Sequence, residues 1–186
     1  TDCGDRGPAW RHADREDLVK TLQTAVGELL CWSADDITRS LEAGEFWDAH
    51  LKEAFDQTPA DGWAIDLGAN IGFFSLYFAE RFARVVAVEA HPDTARLLYQ
   101  NVMVNGQGGK VLVITAAAYD RHTTLELATS KVHGWLEDER SFLDTDSVLH
   151  SAGFSFVEDP SQQHHLHEIR VPTVVLDEII PESAPI

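Results

Sequence analysis

The order of apolar and polar positions divides the chain into two parts. Up to residue 60, apolar residues recur every three or four positions, the spacing that places them on one face of a helix. We predict three helices in this part, over residues 14–32, 33–44 and 45–55. The sequence TPADG at 58–62 then holds several turn-forming residues and breaks the pattern. Residues 1–60 are therefore predicted to form a helical N-terminal prefix.

From residue 61 onward the pattern predicts strands that alternate with helices. Three runs are apolar throughout, WAIDLG, RVVAVEA and KVLVITAAA, which begin at residues 63, 84 and 110. Continuous apolar runs are typical of parallel strands that helices cover on both faces. Two helical patterns connect the runs, and right-handed crossovers place the three strands in the spatial order 3-2-1. We therefore predict an α/β fold with one half of a doubly wound, Rossmann-like sheet.

Beyond residue 120 the sequence predicts strands of less regular character. TTLELA at 123–128 is predicted to be an edge or hairpin strand, and HEIRVPTVVLDEII at 167–180 returns to a strand pattern. Pro172 favours an edge position for the second of these strands, because proline lacks the N–H group that a ladder needs. Between them, a short helix is predicted around residues 140–151.

The composition is that of a soluble globular protein, and the net charge argues against some classes of binding partner. Hydrophobic residues make up 44% of the 186 residues, and the formal net charge is -17. A field of that sign repels phosphate backbones, which argues against a DNA or RNA partner. No apolar run approaches the ~20 residues that cross a bilayer, so no membrane association is predicted. The two cysteines form neither a CxxC motif nor a metal-ligand pair, and we predict a reduced, cytoplasmic protein.

The strongest functional signal is the turn after the first apolar run, DLGANIG at 66–72. The dinucleotide fingerprint GxGxxG, placed on Gly68, requires glycines where this chain has Asn70 and Phe73. An NAD(P)-dependent oxidoreductase is therefore the weaker enzyme hypothesis. An acidic residue followed by glycines at alternate positions is instead the pattern of enzymes that bind S-adenosylmethionine. Asn70, in place of a glycine, is a small departure from that pattern, because asparagine is the non-glycine residue that best tolerates a left-handed backbone.

The residues of this turn have chemical roles in the second hypothesis. Gly68 allows the backbone to pass close to a ligand, where a Cβ would collide. Free N–H groups at the start of the following helix suit the ligand's carboxylate, and Asp66 is placed to accept a hydrogen bond from its amino group. Glu89 ends the second strand, 21 residues after Gly68, and an acidic residue about 20 residues on binds ribose hydroxyls. That spacing also occurs in nucleotide sites, so Glu89 indicates an adenosine-containing ligand without choosing between the two cofactors.

Four segments of the second part occur in an order that one known family shares. They are AIDLGANIGFFSLYFA, VVAVEAHPDTARLLYQNVMVNG, AAAYDRHTTLEL and VPTVVLDEII, which extend from about residue 63 to residue 180. In these segments the chain resembles the FkbM-type S-adenosylmethionine-dependent methyltransferases. The resemblance implies a class I methyltransferase fold, S-adenosyl-L-methionine as methyl donor, and transfer to an oxygen of a small molecule or saccharide. Residues 61–186 would then form the N-terminal part of the methyltransferase domain.

The resemblance also implies which residues bind the cofactor, although it assigns no catalytic base. The methionine end of the cofactor would lie on a set of residues in the glycine turn: Asp66, Gly68, Ala69, Asn70 and Gly72. Glu89 would hold the ribose, and the turn around Ala117, after the third strand, would lie beside the adenine.

The resemblance further implies that additional chain completes the sheet. In the family, the next strand ends in an Asp-Val-Glu-Gly-like stretch beside the transferred methyl group and the acceptor. This chain ends at PESAPI, 181–186, where that strand would begin. We expect the remainder of the domain or another chain to cover the open edge of the first apolar strand. We also expect this stretch of chain to be inactive when it is alone.

The sequence also leaves alternatives to the methyltransferase hypothesis open. A non-catalytic, Rossmann-like scaffold module is the alternative from a different functional class. Three histidines lie among polar residues without a cysteine, so a solvated loop is favoured over a metal site and no metal is predicted: His164, His165 and His167. Four aromatic residues are interpreted as packing of the prefix, with an acceptor pocket as the alternative: Trp32, Phe46, Trp47 and Phe55.

Overall fold

The computed structural model describes residues 19–33, 35–60, 62–129, 154–156, 167–181 and 184. The helices of this part are α1 (Asp36–Glu42), α2 (Ala49–Gln57), α3 (Phe73–Ala79) and α4 (Pro92–Val104). The strands are β1 (Val19–Thr24), β2 (Gly27–Trp32), β3 (Trp63–Leu67), β4 (Arg84–Glu89), β5 (Val111–Thr115), β6 (Ala117–Ala118), β7 (Thr124–Thr129), β8 (Phe154–Phe156) and β9 (His167–Val174). A short 3₁₀ helix, Leu176–Glu178, follows β9.

The three apolar runs form a parallel sheet in the order β3-β4-β5, as the sequence predicts. Val85 and Ala87 of β4 belong to a core that also contains Leu76 of α3 and Leu98 of α4. Both crossover helices therefore pack on the same face of the sheet, which is the result of two successive right-handed βαβ units. The predicted α/β class and the Rossmann-like parallel sheet are confirmed. Within the described part of the chain, β3 pairs with β4 and its other edge has no partner strand.

A second sheet follows in the order β6-β9-β7-β8. The two strands predicted beyond residue 120 are confirmed as β7 and β9, but neither is an edge strand. β9 pairs with β7 up to Pro172 and with β6 only at Thr173 and Val174. At Pro172 itself, β9 pairs only with β7. The missing N–H group of proline is therefore tolerated, because this one residue lies at an edge although the strand as a whole does not. The helix predicted around 140–151 lies outside the described residues.

The first helix predicted for the prefix is wrong, because residues 19–32 form an antiparallel hairpin of β1 and β2. Its register pairs Thr24 with Gly27 across the turn. Two strands of period two that are joined by a short turn place apolar residues at intervals that also fit one helix face. Gly27 is the signal against a helix: its φ of 119° is unfavourable for other residues, and glycine weakens a helix interior.

The two later helices of the prefix are confirmed as α1 and α2. The N-cap of α1 is Asp35, whose carboxylate accepts a hydrogen bond from the Ile37 N–H at 3.3 Å. The C-terminus of α2 is capped by a side chain from another part of the chain. The Arg81 guanidinium donates hydrogen bonds to the carbonyls of Phe55, Asp56 and Thr58. The prefix is therefore helical only from α1 onward.

The prefix and the parallel sheet share one hydrophobic core. Leu29 and Cys31 of β2 and Leu41 of α1 are buried together with the core residues of α3 and α4. Phe46 and Phe55 make edge-to-face contacts with rings of α3, among them Phe73–Phe46 at 4.9 Å between centroids. For Phe46 and Phe55, packing of the prefix is therefore the correct interpretation.

Among the described residues, no helix has both the length and the apolar character that a membrane span requires.

Candidate functional site

The turn between β3 and α3 has a left-handed backbone at every second residue. The φ angles are 71° at Gly68, 49° at Asn70 and 92° at Gly72. These alternate positions are the ones at which the sequence pattern has glycine or asparagine. Asn70 therefore replaces glycine at a position with positive φ, as its tolerance of that conformation predicts.

The turn is tied by its N–H groups to the carboxyl end of the neighbouring strand β4. The N–H groups of Gly68 and Ala69 both donate to the Val88 carbonyl, at 2.9 and 3.0 Å. The N–H of Asn70 donates to Glu89 Oε2 at 2.9 Å. The chain therefore leaves β3 and folds over the end of β4 before α3 begins.

Glu89 is the buried carboxylate on which these connections meet. Its Oε2 accepts from the Asn70 N–H, and its Oε1 accepts from the His91 N–H at 2.8 Å. Burial raises the pKa of Glu89, and the two N–H donors oppose that shift. The carboxylate thus fixes both the glycine turn and the start of α4, and its predicted bond to a ribose stays a prediction.

Asp66, at the end of β3, is held by the first turn of α3. The buried hydroxyl of Ser75 donates to Asp66 Oδ2 at 2.6 Å. Burial raises the pKa of Asp66 to about 6, while the hydroxyl and the N–H of Ser75 lower it. Sequence reasoning missed Ser75; the signal was a small polar residue on the otherwise apolar helix FFSLYFA. The predicted contact of Asp66 with an amino group stays a prediction.

Asp66→Asn is expected to remove part of the pH dependence of stability in the ligand-free protein. The raised pKa keeps a proton on folded Asp66, so its contribution to stability is complete below about pH 4 and is lost as the pH rises through about 6. Asparagine has no such proton to lose, and its Oδ1 can still accept from the Ser75 hydroxyl.

The free energy of unfolding of Asp66→Asn, relative to wild type, should therefore rise by ~2 kcal/mol between about pH 4 and about pH 8. Urea denaturation at both pH values measures this difference. If the variant and the wild type differ in free energy of unfolding by the same amount at both pH values, the raised pKa does not belong to Asp66.

The two glycines that flank Asn70 have different surroundings. A Cβ on Gly72 would lie 2.5 Å from Leu98 Cδ1, so the absence of a side chain allows the turn to pack on α4. A Cβ on Gly68 would meet no atom within 4 Å. Gly68 is therefore exposed to open space after β3, and the absence of a Cβ lets a ligand pass close to its backbone.

Ala117 lies in β6, directly after the third parallel strand, and is buried beside Ala90. The N–H of Ala116 donates to the Glu89 carbonyl at 3.0 Å, which brings this connection to the end of β4. The structure thus places all the sequence-predicted site residues at the carboxyl ends of the parallel strands. Which of them contact a ligand stays a prediction.

Asn101 of α4 is a second residue that sequence reasoning missed. It is fully buried, and its Nδ2 donates to the Ile71 carbonyl inside the glycine turn at 2.8 Å. The signal was an amide on the buried face of a helix, a position that requires hydrogen-bond partners.

Within the described part of the chain, no group of three or more histidine, cysteine, aspartate or glutamate side chains is arranged to hold a metal ion. Of the three histidines considered above, His164 and His165 lie outside the described residues, and the side chain of His167 is not described.

Comparison with known families gives one match, which covers most of the second part of the chain. A model of the methyltransferase FkbM domain matches residues 66–185. The matched range begins at Asp66, includes the glycine turn, Glu89 and Ala117, and leaves out the N-terminal hairpin. A comparison with curated proteins gives no significant match.

Several solved structures are similar to parts of this chain. The crystal structure of Methanocaldococcus jannaschii Trm5 in complex with adenosine has a TM-score of 0.42 and 17% identity, over 54% of this chain and 30% of that one. The tRNA m1G37 methyltransferase of M. jannaschii has a TM-score of 0.43 and 14% identity, over 56% of this chain and 35% of that one. The SAM-dependent methyltransferase from Agrobacterium tumefaciens has a TM-score of 0.38 and 19% identity, over 52% and 32%. The chain thus spans about a third of the length of each.

Proposed function

This chain belongs to the family of methyltransferase FkbM domains, and from that premise we propose that it binds S-adenosyl-L-methionine as the N-terminal part of a domain that transfers the methyl group to an acceptor. The observation that carries the proposal is the free space beside Gly68, at a turn whose backbone alternates between left-handed and ordinary conformations. A ligand can approach that backbone without meeting a side chain.

The carboxylates on either side of this space suit the two ends of the cofactor. Asp66 is half-buried at the end of β3, and a carboxylate there accepts a hydrogen bond from an amino group. Glu89, at the end of β4, carries a carboxylate of the kind that accepts hydrogen bonds from ribose hydroxyls. Ala117 and the residues around it would border the adenine. Together these residues would hold the cofactor at the carboxyl ends of the strands.

The residue at the third glycine position of a dinucleotide loop disfavours NAD(P). That position is Phe73, which is buried and packs edge-to-face on Phe46 and Phe74. A dinucleotide loop uses glycine there for close approach of helix and strand. In this chain the position belongs to the aromatic contact between α3 and the loop that precedes α2.

Binding and alignment are the contributions that these residues make to methyl transfer. When bound, the cofactor supplies an electrophilic methyl group on a sulfonium. Orientation of donor and acceptor accounts for much of the acceleration of such a transfer. A hydroxyl acceptor also needs a base within hydrogen-bond reach, and we assign that role to no residue of this chain.

We propose an oxygen of a small molecule or saccharide as the acceptor. The support is the resemblance of the sequence segments to the FkbM-type enzymes, together with the charge. A net charge of -17 opposes a polyanionic substrate, so the tRNA that one similar structure's description names is not proposed for this chain.

Calorimetry with S-adenosylhomocysteine and with NAD⁺ tests the proposed cofactor. We expect S-adenosylhomocysteine to bind and NAD⁺ to give no measurable heat under the same conditions. Tighter binding of NAD⁺ would favour an oxidoreductase, and binding of neither ligand would favour a non-catalytic scaffold. Either result would overturn the proposal.

A further inference from the structure

Two asparagines, Asn101 in α4 and Asn105 at its C-cap, bind the backbone of the N-terminal hairpin in the same way. Asn101 Oδ1 accepts from the Leu30 N–H at 2.7 Å, and its Nδ2 donates to the Leu30 carbonyl at 3.0 Å. Asn105, one helical turn later, makes the same pair of bonds with Glu28, at 3.0 and 2.7 Å. Each carboxamide thus completes both hydrogen bonds of one β2 residue, as a neighbouring strand would.

The two asparagines differ in where their remaining N–H bond is directed. Asn105 Nδ2 also donates to the Asn101 carbonyl at 2.8 Å, which is a contact within α4. Asn101 Nδ2 instead donates to the Ile71 carbonyl at 2.8 Å. A single buried amide therefore joins β2 to the glycine turn, and Asn105 provides a natural comparison without that connection.

The Ile71 carbonyl lies in the part of the turn whose backbone conformation is the most restricted. Ile71 stands between Asn70 and Gly72, which both have positive φ. Rotation of the peptide group that follows Ile71 would turn its carbonyl away from Asn101, and a buried carbonyl without a partner is costly. The bond to Asn101 therefore opposes that rotation. Leu98 supports the turn from the same helix, because its Cδ1 lies against Gly72.

We propose that Asn101 is a positioning residue for the cofactor turn, and that through it the hairpin at residues 19–32 contributes to cofactor affinity. This inference rests on the proposed function, because it assumes that the turn binds S-adenosylmethionine. It adds a part of the chain that lies outside the family match at 66–185. The role is indirect: Asn101 holds the Ile71 carbonyl, and the ordered turn holds the ligand.

Asn101→Ala and Asn105→Ala form a matched pair for the test. Each substitution removes two bonds to β2, so each should lower the melting temperature. Only Asn101→Ala removes the bond to the turn, and it should weaken S-adenosylhomocysteine binding about tenfold in calorimetry. Asn105→Ala should change the dissociation constant by less than about twofold. Equal weakening in both variants, or wild-type affinity in Asn101→Ala, would overturn the inference.

Amide hydrogen exchange of the ligand-free protein gives a readout that is independent of binding. Asn101→Ala should speed exchange in peptides that contain residues 68–76, whereas Asn105→Ala should leave those peptides as in wild type. Unchanged exchange of the turn in Asn101→Ala would overturn the inference even if the affinity falls.

Asn101→Asp tests the same bond in a side chain of the same shape. The introduced carboxylate keeps an acceptor for Leu30 but cannot donate to Ile71, whereas its protonated form can donate one hydrogen bond. Affinity relative to wild type at the same pH should therefore recover on acidification, and a pH-independent ratio would overturn the inference. If wild type binds no S-adenosylhomocysteine, the proposed function fails together with the inference. If wild type binds and the asparagine variants behave alike, only the inference fails.

Discussion

Gly72→Ala is expected to lower the free energy of unfolding by about 3 kcal/mol. Alanine at a φ of 92° adopts a backbone conformation that L residues disfavour by about 1 kcal/mol or more. Its Cβ would also lie 2.5 Å from Leu98 Cδ1, on a side chain that is fully buried in α4. The core can relieve this overlap only by moving the turn or the helix, and overpacking of this kind costs roughly 1–3 kcal/mol.

Urea denaturation of Gly72→Ala measures the effect, and Gly44→Ala provides the control. Gly44 has a φ of 77° and open space around it, so its substitution should show the backbone cost without the overlap. In a double-mutant cycle, Leu98→Ala should offset part of the cost of Gly72→Ala, with a coupling of about 1 kcal/mol or more. Additive effects would mean that the overlap with Leu98 is not the cause.

Gly68→Ala is expected to weaken S-adenosylhomocysteine binding about a hundredfold while it leaves the fold intact. A Cβ on Gly68 meets no protein atom within 4 Å, so the cost to the folded chain is limited to the left-handed backbone at a φ of 71°. The methyl group would occupy the space that we propose for the cofactor. Calorimetry measures the loss, and circular dichroism checks the fold.

Gly106→Ala is the matched control for Gly68→Ala. Gly106 has a φ of 69° and also no atom within 4 Å of an added Cβ, but it lies in the connection from α4 to the amino end of β5 and not at the carboxyl ends of the strands. The two variants should lose similar stability and differ in affinity. If Gly68→Ala binds S-adenosylhomocysteine as tightly as Gly106→Ala, the ligand does not occupy the space beside Gly68.

The sequence predicts those parts of the fold in which local pattern and tertiary environment agree. The apolar runs that contain Ile65, Val86 and Val113 have strand character at every position, and the handedness of βαβ units determines their order. The glycine turn was predictable because its backbone excludes most residue types at 68 and 72. The position of Glu89 was predictable as well, because it ends the second strand of the βαβ unit that contains the glycine turn.

The hairpin at the N-terminus was not predictable from periodicity. Leu22, Val26 and Leu29 fit one face of a helix as well as they fit two short strands. What decides between the two is β2, whose Glu28 and Leu30 backbone groups pair with side chains of α4. No pattern near residue 30 contains that information.

The supporting residues of the candidate site were missed for a similar reason. Ser75 and Asn101 carry no motif, and both act through partners that the fold brings close: Asp66 for Ser75, and Leu30 and Ile71 for Asn101. A buried serine or asparagine in an apolar helix indicates that a partner exists, but not which one. The ligand-facing positions could therefore be proposed from sequence, while the residues that hold them could not.

The asparagine bonds to β2 also set an order of events when the chain is made. Leu30 and Asn101 are 71 residues apart, and Glu28 and Asn105 are 77 apart. Closing loops of that length is entropically more costly than closing the 30-residue loop between Ile71 and Asn101. The hairpin leaves the ribosome before the elements of the parallel sheet, yet its carboxamide partners appear only with the end of α4. The bonds that hold the hairpin against Asn101 and Asn105 can therefore form only after the first two strands of the parallel sheet have been synthesised.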